Sequence, residues 1–244
     1  MRESPRHYAP IPAISQRYRS EIALLGWMAG VAALLWGFVQ LAGRLLGSGP
    51  RGFDEAVLLA LRNPADLADP IGPPWLELFA RDITSLGGIP VLTLVTLCSF
   101  GFLLMVRKRR TALLLLVAVG GGLLLSSGLK DVFDRPRPDL VPHAVQVATQ
   151  SFPSSHAMMS AITYLTLGAL LARTQPRRRV KAYLLTSAVL LTLLVGTSRV
   201  YLGVHWPTDV LAGWWAGAAW AMLCGAVLRR LQRRGSVEQE QAPG

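Results

Sequence analysis

The segment SRVYLGVHWPTD, residues 198 to 209, sets a Ser, an Arg, a His and an Asp between two long apolar runs. His205 and Asp209 are four residues apart, and Pro207 suits the first turn of a helix. From there the Asp209 carboxylate can reach back to the residue preceding the helix, much as the acid of a capping box does. That would fix the His205 ring, hold its tautomer and raise its basicity, and an imidazole so oriented is a nucleophile or a base. Lys130, Arg137 and Arg199 supply a multivalent cationic grip, and guanidinium forks match phosphate oxygens. PSSH opens a helix after Pro153, so the amides of Ser154 and Ser155 can point at the same anion. His156 follows directly, placed to protonate a leaving oxygen. One His attacking and one donating is the division of labour expected for phosphoryl transfer. No GxxxxGK[ST] loop occurs, which argues against a P-loop nucleotide site.

These groups must be positioned by membrane helices. The chain has 244 residues, 52% of them hydrophobic. Charge-free runs extend over 22–43, 83–106, 111–129, 182–198 and 210–228, each close to the roughly 20 residues that a helix needs to cross the hydrocarbon. A further run, 157–172, reaches that length if it starts at Ser154. The expected fold is all-α, a polytopic membrane protein of six transmembrane helices. The first run is longer than a signal-peptide core, so it is read as an uncleaved helix. The domain plan is a cytoplasmic tail over 1–20, a membrane domain over 21–232 and a disordered cytoplasmic tail over 233–244. Cys98 and Cys224 lie in apolar runs without metal-ligand spacing and read as small buried hydrophobes.

The net charge of +11 would suit nucleic acid if it were spread over one face, but it is not. Seventeen of the 25 basic residues fall before the first helix, in RKRR (107–110), between Arg173 and Lys181, and between Arg229 and Arg234. Those are alternate connections, and basic connections stay in the cytoplasm. Both termini are then inside, nucleic acid is not a partner, and Lys130, Arg137, His156, Arg199, His205 and Asp209 share the outward face of a plasma (inner) membrane. The first outward connection, 48–82, contains FDEAVLLALR and PPWLELFARDI. These pieces suit short amphipathic helices at the membrane surface, although a plain tether with incidental amphipathicity fits them as well. His7 and His143 have no comparable neighbours.

Asp131, Asp134 and Asp139 offer a rival site, since hard cations such as Mg²⁺ prefer carboxylate oxygens. Arg135 and Arg137 interleave with them and could neutralise them instead. A six-helix transporter or scaffold that recruits anionic lipid would explain the cations, but not His156 or the spacing of His205 and Asp209.

Taken together, KDVFDRPRP (Lys130 to Pro138), PSSH and SRVYLGVHWPTD resemble the three-part pattern of the type-2 phosphatidic acid phosphatase superfamily. That superfamily also includes vanadium haloperoxidases and bacterial lipid phosphatases. The first and third parts keep the family spacing; in the second, Ser155 stands where the family usually has Gly, and Ser tolerates positive φ less well. The match spans about residues 87–228. The resemblance implies that Lys130, Arg137, Ser154, Ser155 and Arg199 bind phosphate. It implies that His205 forms a phosphohistidine, Asp209 orients it, His156 is the acid, and neither metal nor cofactor is needed. The implied function is a membrane phosphatase acting on a lipid phosphate or diphosphate: a polyprenyl diphosphate, phosphatidylglycerophosphate or phosphatidic acid. A lipid phosphotransferase would carry the same motifs. A haloperoxidase is disfavoured, because those relatives are soluble.

Overall fold

In hydrocarbon every backbone N–H and C=O must be satisfied within its own segment, so apolar runs of this length fold as helices. The structure, a computed structural model, describes residues 13–46, 51–141 and 149–233. His7, His143 and the tail beyond 233 lie outside the described residues. Helix α1 (Ala13–Leu46) begins inside the stretch expected to be tail; its 34 residues span roughly 51 Å, well beyond the apolar run. The connection that follows α1 holds α2 (Arg51–Ala60) and a small antiparallel hairpin, β1 (Arg62–Asn63) with β2 (Asp66–Pro70). The hairpin was not expected. Its turn is made by side chains: Asn63 Oδ1 accepts from Ala65 N at 3.1 Å and Asp66 Oδ1 from Ala68 N at 2.9 Å, which is how Asn and Asp initiate turns.

The second expected span, 83–106, is broken. α3 (Pro74–Ser85) and α4 (Ile89–Met105) are bent by 48° across Leu86 to Gly88. Pro90 at the start of α4 has no N–H to donate, and its ring excludes a helical carbonyl four residues back. That carbonyl, Leu86 O, instead accepts from Tyr164 Oη at 2.6 Å. Gly87 is required at the bend, because a Cβ there would lie 2.3 Å from Val195 Cγ1. Among the described residues, five helices are therefore long and apolar enough to cross a membrane, or six spans if the bent pair counts as one.

Besides α1, those five helices are α5 (Arg109–Phe133), α6 (Ser155–Thr174), α7 (Arg178–Tyr201) and α8 (Pro207–Arg233). α6 is the central element, packed against both α7 and α8, while α1 lies on α8 and α5 joins α4 to α6. Gly213 and Gly217, one turn apart on α8, let its backbone touch that of α6. A Cβ at Gly213 would meet Ser154 O at 2.7 Å, and one at Gly217 would meet Met158 O at 2.5 Å. Small residues at such a seam are the usual route to close helix contact where lipid supplies no hydrophobic drive. Apolar side chains such as Leu124 and Met105 are exposed on the outside, as suits a multi-pass membrane protein.

Candidate active site

Four helix ends meet at one face: the C-termini of α5 and α7 and the N-termini of α6 and α8. α5 stops where Asp134 turns left-handed at φ 38°, a conformation Asp tolerates better than most residues, and the prolines that follow keep the RPRP segment extended. α7 ends at Tyr201, and Gly203 just beyond it, at φ 73°, turns the chain so that Val204 N donates to Arg199 O at 3.2 Å. This brings His205 beneath the end of the helix it follows. α6 opens on Ser154, whose hydroxyl accepts from Ala157 N at 3.4 Å.

Lys130, Arg137, Ser155, His156, Arg199 and His205 line one cavity of about 570 Å³. The cavity continues past Thr84 to the start of α4 and to Leu123 on α5. Arg199 is 3% exposed; it donates to Thr84 Oγ1 at 3.1 Å, and its Nε has no hydrogen-bond partner. Among the described residues no carboxylate pairs with it. A buried guanidinium in that state is strongly disfavoured unless an anion completes it. Lys130 Nζ donates to Thr149 Oγ1 at 3.3 Å and to Gln150 O. Arg137 is tied to Thr149 O at 2.7 Å and Val204 O at 2.6 Å. His156 packs on Gly87, where a Cβ would come within 3.3 Å of its Cβ and Cδ2.

The state of His205 follows from its partners. Arg137 Nη1 lies 3.1 Å from His205 Nε2. A guanidinium only donates, so Nε2 is the unprotonated nitrogen and presents its lone pair to the cavity wall. The proton sits on Nδ1, which faces Ser151 Oγ at 3.3 Å and Asp209 Oδ2 at 3.5 Å. Ser151 Oγ in turn donates to Asp209 Oδ2. Burial, reinforced by the charges of Arg137, Arg199 and Lys130, holds the His205 imidazole well below its usual range, against a hydrogen bond to the Ser151 backbone. The ring is therefore neutral at pH 7.

Asp209 makes the reach expected of it, accepting from Trp206 N at 3.0 Å through Oδ2. Its Oδ1 accepts from Arg135 Nη1 at 2.5 Å. Arg135 does not neutralise its neighbours in sequence as supposed. Its other nitrogen pairs with Asp54 Oδ2 at 2.7 Å, and Asp54, fully buried on α2, accepts from Thr208 N at 3.0 Å and Thr208 Oγ1 at 2.6 Å.

Ser154 departs from expectation. Its amide is committed to Asp209 O at 3.0 Å and does not point at the cavity, because the Gly213 seam carries the α8 backbone against it. The free amides of the α6 N-terminus are then those of Ser155 and His156. Ser155 is helical and is not among the positive-φ residues, so replacing glycine costs no backbone strain there. Its hydroxyl bonds Ser126 Oγ at 2.9 Å. Asp131, Asp134 and Asp139 are exposed, and among the described residues no three His, Cys, Asp or Glu side chains converge as a metal site would need. A second cavity of about 510 Å³, between α2, α3, α7 and α8, has no Lys, Arg, His, Asp or Glu in its wall.

Ser151, Thr84, Thr149 and Asp54 escaped the sequence reading, and Arg135 entered it only beside the neighbouring aspartates. Ser151 sits three residues before Ser154 with no spacing rule to mark it. Asp54 looked like an ordinary polar position of an amphipathic helix.

A sequence profile of the PAP2 superfamily matches residues 111–233. Phosphatidylglycerophosphatase B of Bacillus subtilis is 35% identical over 184 residues, covering 74% of this chain and 85% of that protein. Lipid A 1-phosphatase of Rhizobium johnstonii is 30% identical over 116 residues, 44% of this chain and 43% of the relative. A shorter stretch of 68 residues, 28% of this chain and 29% of the relative, is 38% identical to undecaprenyl-diphosphatase of Sulfolobus acidocaldarius. The crystal structure of a transmembrane PAP2 type phosphatidylglycerolphosphate phosphatase from Bacillus subtilis superposes with a TM-score of 0.75 at 32% identity, covering 83% of this chain and 98% of that one. The profile spans the segments that carry both histidines, and with the relatives and the solved fold it shows that the chain belongs to the PAP2 superfamily.

Proposed function

We propose that the chain is an integral membrane phosphatase that removes phosphate from a lipid at the outer face of the plasma membrane, through a phosphohistidine on His205. The observation that carries this reading is the unprotonated Nε2 of His205, in a cavity whose buried Arg199 has no carboxylate partner among the described residues. Lys130, Arg137 and Arg199 grip the phosphoryl oxygens, with the amides of Ser155 and His156 at the helix N-terminus. Arg137 Nη1 turns from Nε2 to a phosphoryl oxygen, and the freed lone pair attacks phosphorus in line, breaking the bond to the departing oxygen while His156 gives that oxygen its proton. The ring becomes cationic as the N–P bond forms, and Asp209 stabilises it across Nδ1. Water, giving its proton to His156, then cleaves the N–P bond and releases inorganic phosphate.

The cavity is lined by the cations and by Ile89, Pro90, Val91 and Leu123, which suits a charged head on an apolar tail. Phosphatidylglycerophosphate leads the substrates, because the relative matched over the greatest length carries that activity in its name; polyprenyl diphosphate and phosphatidic acid follow. The three cations supply the charge that Mg²⁺ would otherwise bring, so no metal is required. In detergent with excess EDTA, purified protein should release phosphate from these lipids at the rate seen without chelator, and His205→Ala should abolish release. Loss on chelation with recovery on Mg²⁺ would refute the metal-free mechanism. Activity persisting in His205→Ala would refute the nucleophile.

A further inference from the structure

We propose that Asp54, on the outward helix α2, is a positioning residue for the phosphoryl transfer: through Arg135 and Thr208 it holds Asp209 against the His205 ring. The inference rests on the phosphatase reading above. It also makes the first outward connection part of the catalytic apparatus, although α2 lies outside the matched profile.

Asp54 is wholly removed from solvent and spends all its contacts on the segments that carry the site. Its Oδ1 accepts from Thr208 N at 3.0 Å, one of the orphan donors of the α8 N-terminus. Asp54 thus caps, from a different helix, the turn in which Asp209 sits. Its Oδ2 accepts from Thr208 Oγ1 at 2.6 Å and from Arg135 Nη2 at 2.7 Å. Arg135 Nη1 then meets Thr208 Oγ1 at 2.8 Å and Asp209 Oδ1 at 2.5 Å. One guanidinium fork therefore spans two carboxylates, and each carboxylate fixes where the fork can stand. Burying an acid is expensive, and a helix that served only as a tether would have no need of it.

Charge gives this geometry a chemical consequence. Arg135 with Asp54 and Asp209 makes a set of net charge minus one beside the imidazole. When Nε2 bonds to phosphorus with a proton still on Nδ1, the ring becomes a cation, and that residual negative charge stabilises it. Without Asp54, Arg135 and Asp209 form a neutral pair that stabilises the same cation less. Lys130, Arg137 and Arg199, which face the phosphate, are untouched. The loss should fall on kcat and leave KM alone.

Asp54→Asn tests this, since it keeps the shape and an acceptor for Thr208 N while removing the charge. Phosphate release from dioctanoyl phosphatidic acid in detergent with EDTA should show kcat down by at least about tenfold with KM within about twofold. In an Asp209→Asn background the same change should cost less than about threefold, because the partner it acts through is already impaired. Arg135→Lys, which keeps the cation but cannot bridge both acids, provides a second route if Asp54→Asn does not fold. It should lower kcat alone. More than half the wild-type kcat in either variant, or a loss that multiplies in full in the Asp209→Asn background, would overturn the proposal. Wild-type turnover with a dead His205→Ala and a fully active Asp54→Asn would defeat this inference and leave the phosphatase reading standing. A wild-type protein that releases no phosphate from lipid would defeat both.

Discussion

Ser151 is the sharpest test of how His205 is oriented. Its hydroxyl stands between Nδ1, at 3.3 Å, and the Asp209 carboxylate, to which it donates. Ser151→Ala removes that bridge and nothing else, because the residue is fully buried and its backbone amide still donates to Arg135 O at 2.9 Å. A hydrogen bond to a charged group contributes about 1.5 to 3 kcal/mol. Part of this is recovered, since Asp209 Oδ2 keeps Trp206 N and already lies 3.5 Å from Nδ1. The net loss should sit near the lower end, about 1.5 kcal/mol, or roughly tenfold in kcat. KM should hold, because Ser151 is not in the cavity wall. Steady-state phosphate release from a short-chain lipid phosphate, in detergent with EDTA, separates the two parameters. An unchanged kcat, or a change in KM alone, would refute the view that the Ser151 hydroxyl carries the link between ring and carboxylate.

The α6–α8 seam should be intolerant of bulk: Gly213→Val places atoms where a Cβ alone would meet Ser154 O at 2.7 Å. Overpacking of this kind costs about 1 to 3 kcal/mol, so both the thermal midpoint in detergent and the activity should fall. Gly120→Ala, where a Cβ meets nothing within 4 Å, should change neither. For the proposed topology, Leu140→Cys and Pro176→Cys can be labelled in intact cells with an impermeant thiol reagent, in a chain lacking Cys98 and Cys224. Labelling is expected at 140 and protection at 176, and the opposite pattern would invert the assigned faces.

The site was legible wherever chemistry required a residue type at a fixed local spacing. His205 and Asp209 are bound to each other by one helical turn, and the Asp209 reach to Trp206 follows from Pro207 beginning α8. Lys130, Arg137 and Arg199 could be placed at one face because the apolar runs and the basic connections fixed which helix ends lie together. Contacts made across distant segments were not legible. Arg135 could pair with the aspartates beside it or with acids elsewhere, and only the packing of α2 on α8 brought Asp54, 81 residues away, into reach. Ser154 failed for the same reason. Its type and position suited an anion, yet a glycine on another helix gave its amide to a carbonyl. The break between α3 and α4 had a local cue in Gly87, Gly88 and Pro90, but the run stays apolar across it, and a charge-based reading of spans passes over a bend.

The unpartnered Nε of Arg199 bears on the end of the reaction as much as on its start. Under the proposed function, inorganic phosphate has the oxygens and the charge of the headgroup from which it is cut, so a cradle built around those oxygens would hold the product as well as the substrate. Only the apolar tail distinguishes them, and the tail leaves with the alcohol. In the proposed mechanism, turnover then depends on how readily a bare dianion escapes Lys130, Arg137 and Arg199 into water, and the lipid competes for the site against the ambient phosphate of whichever compartment the cavity faces.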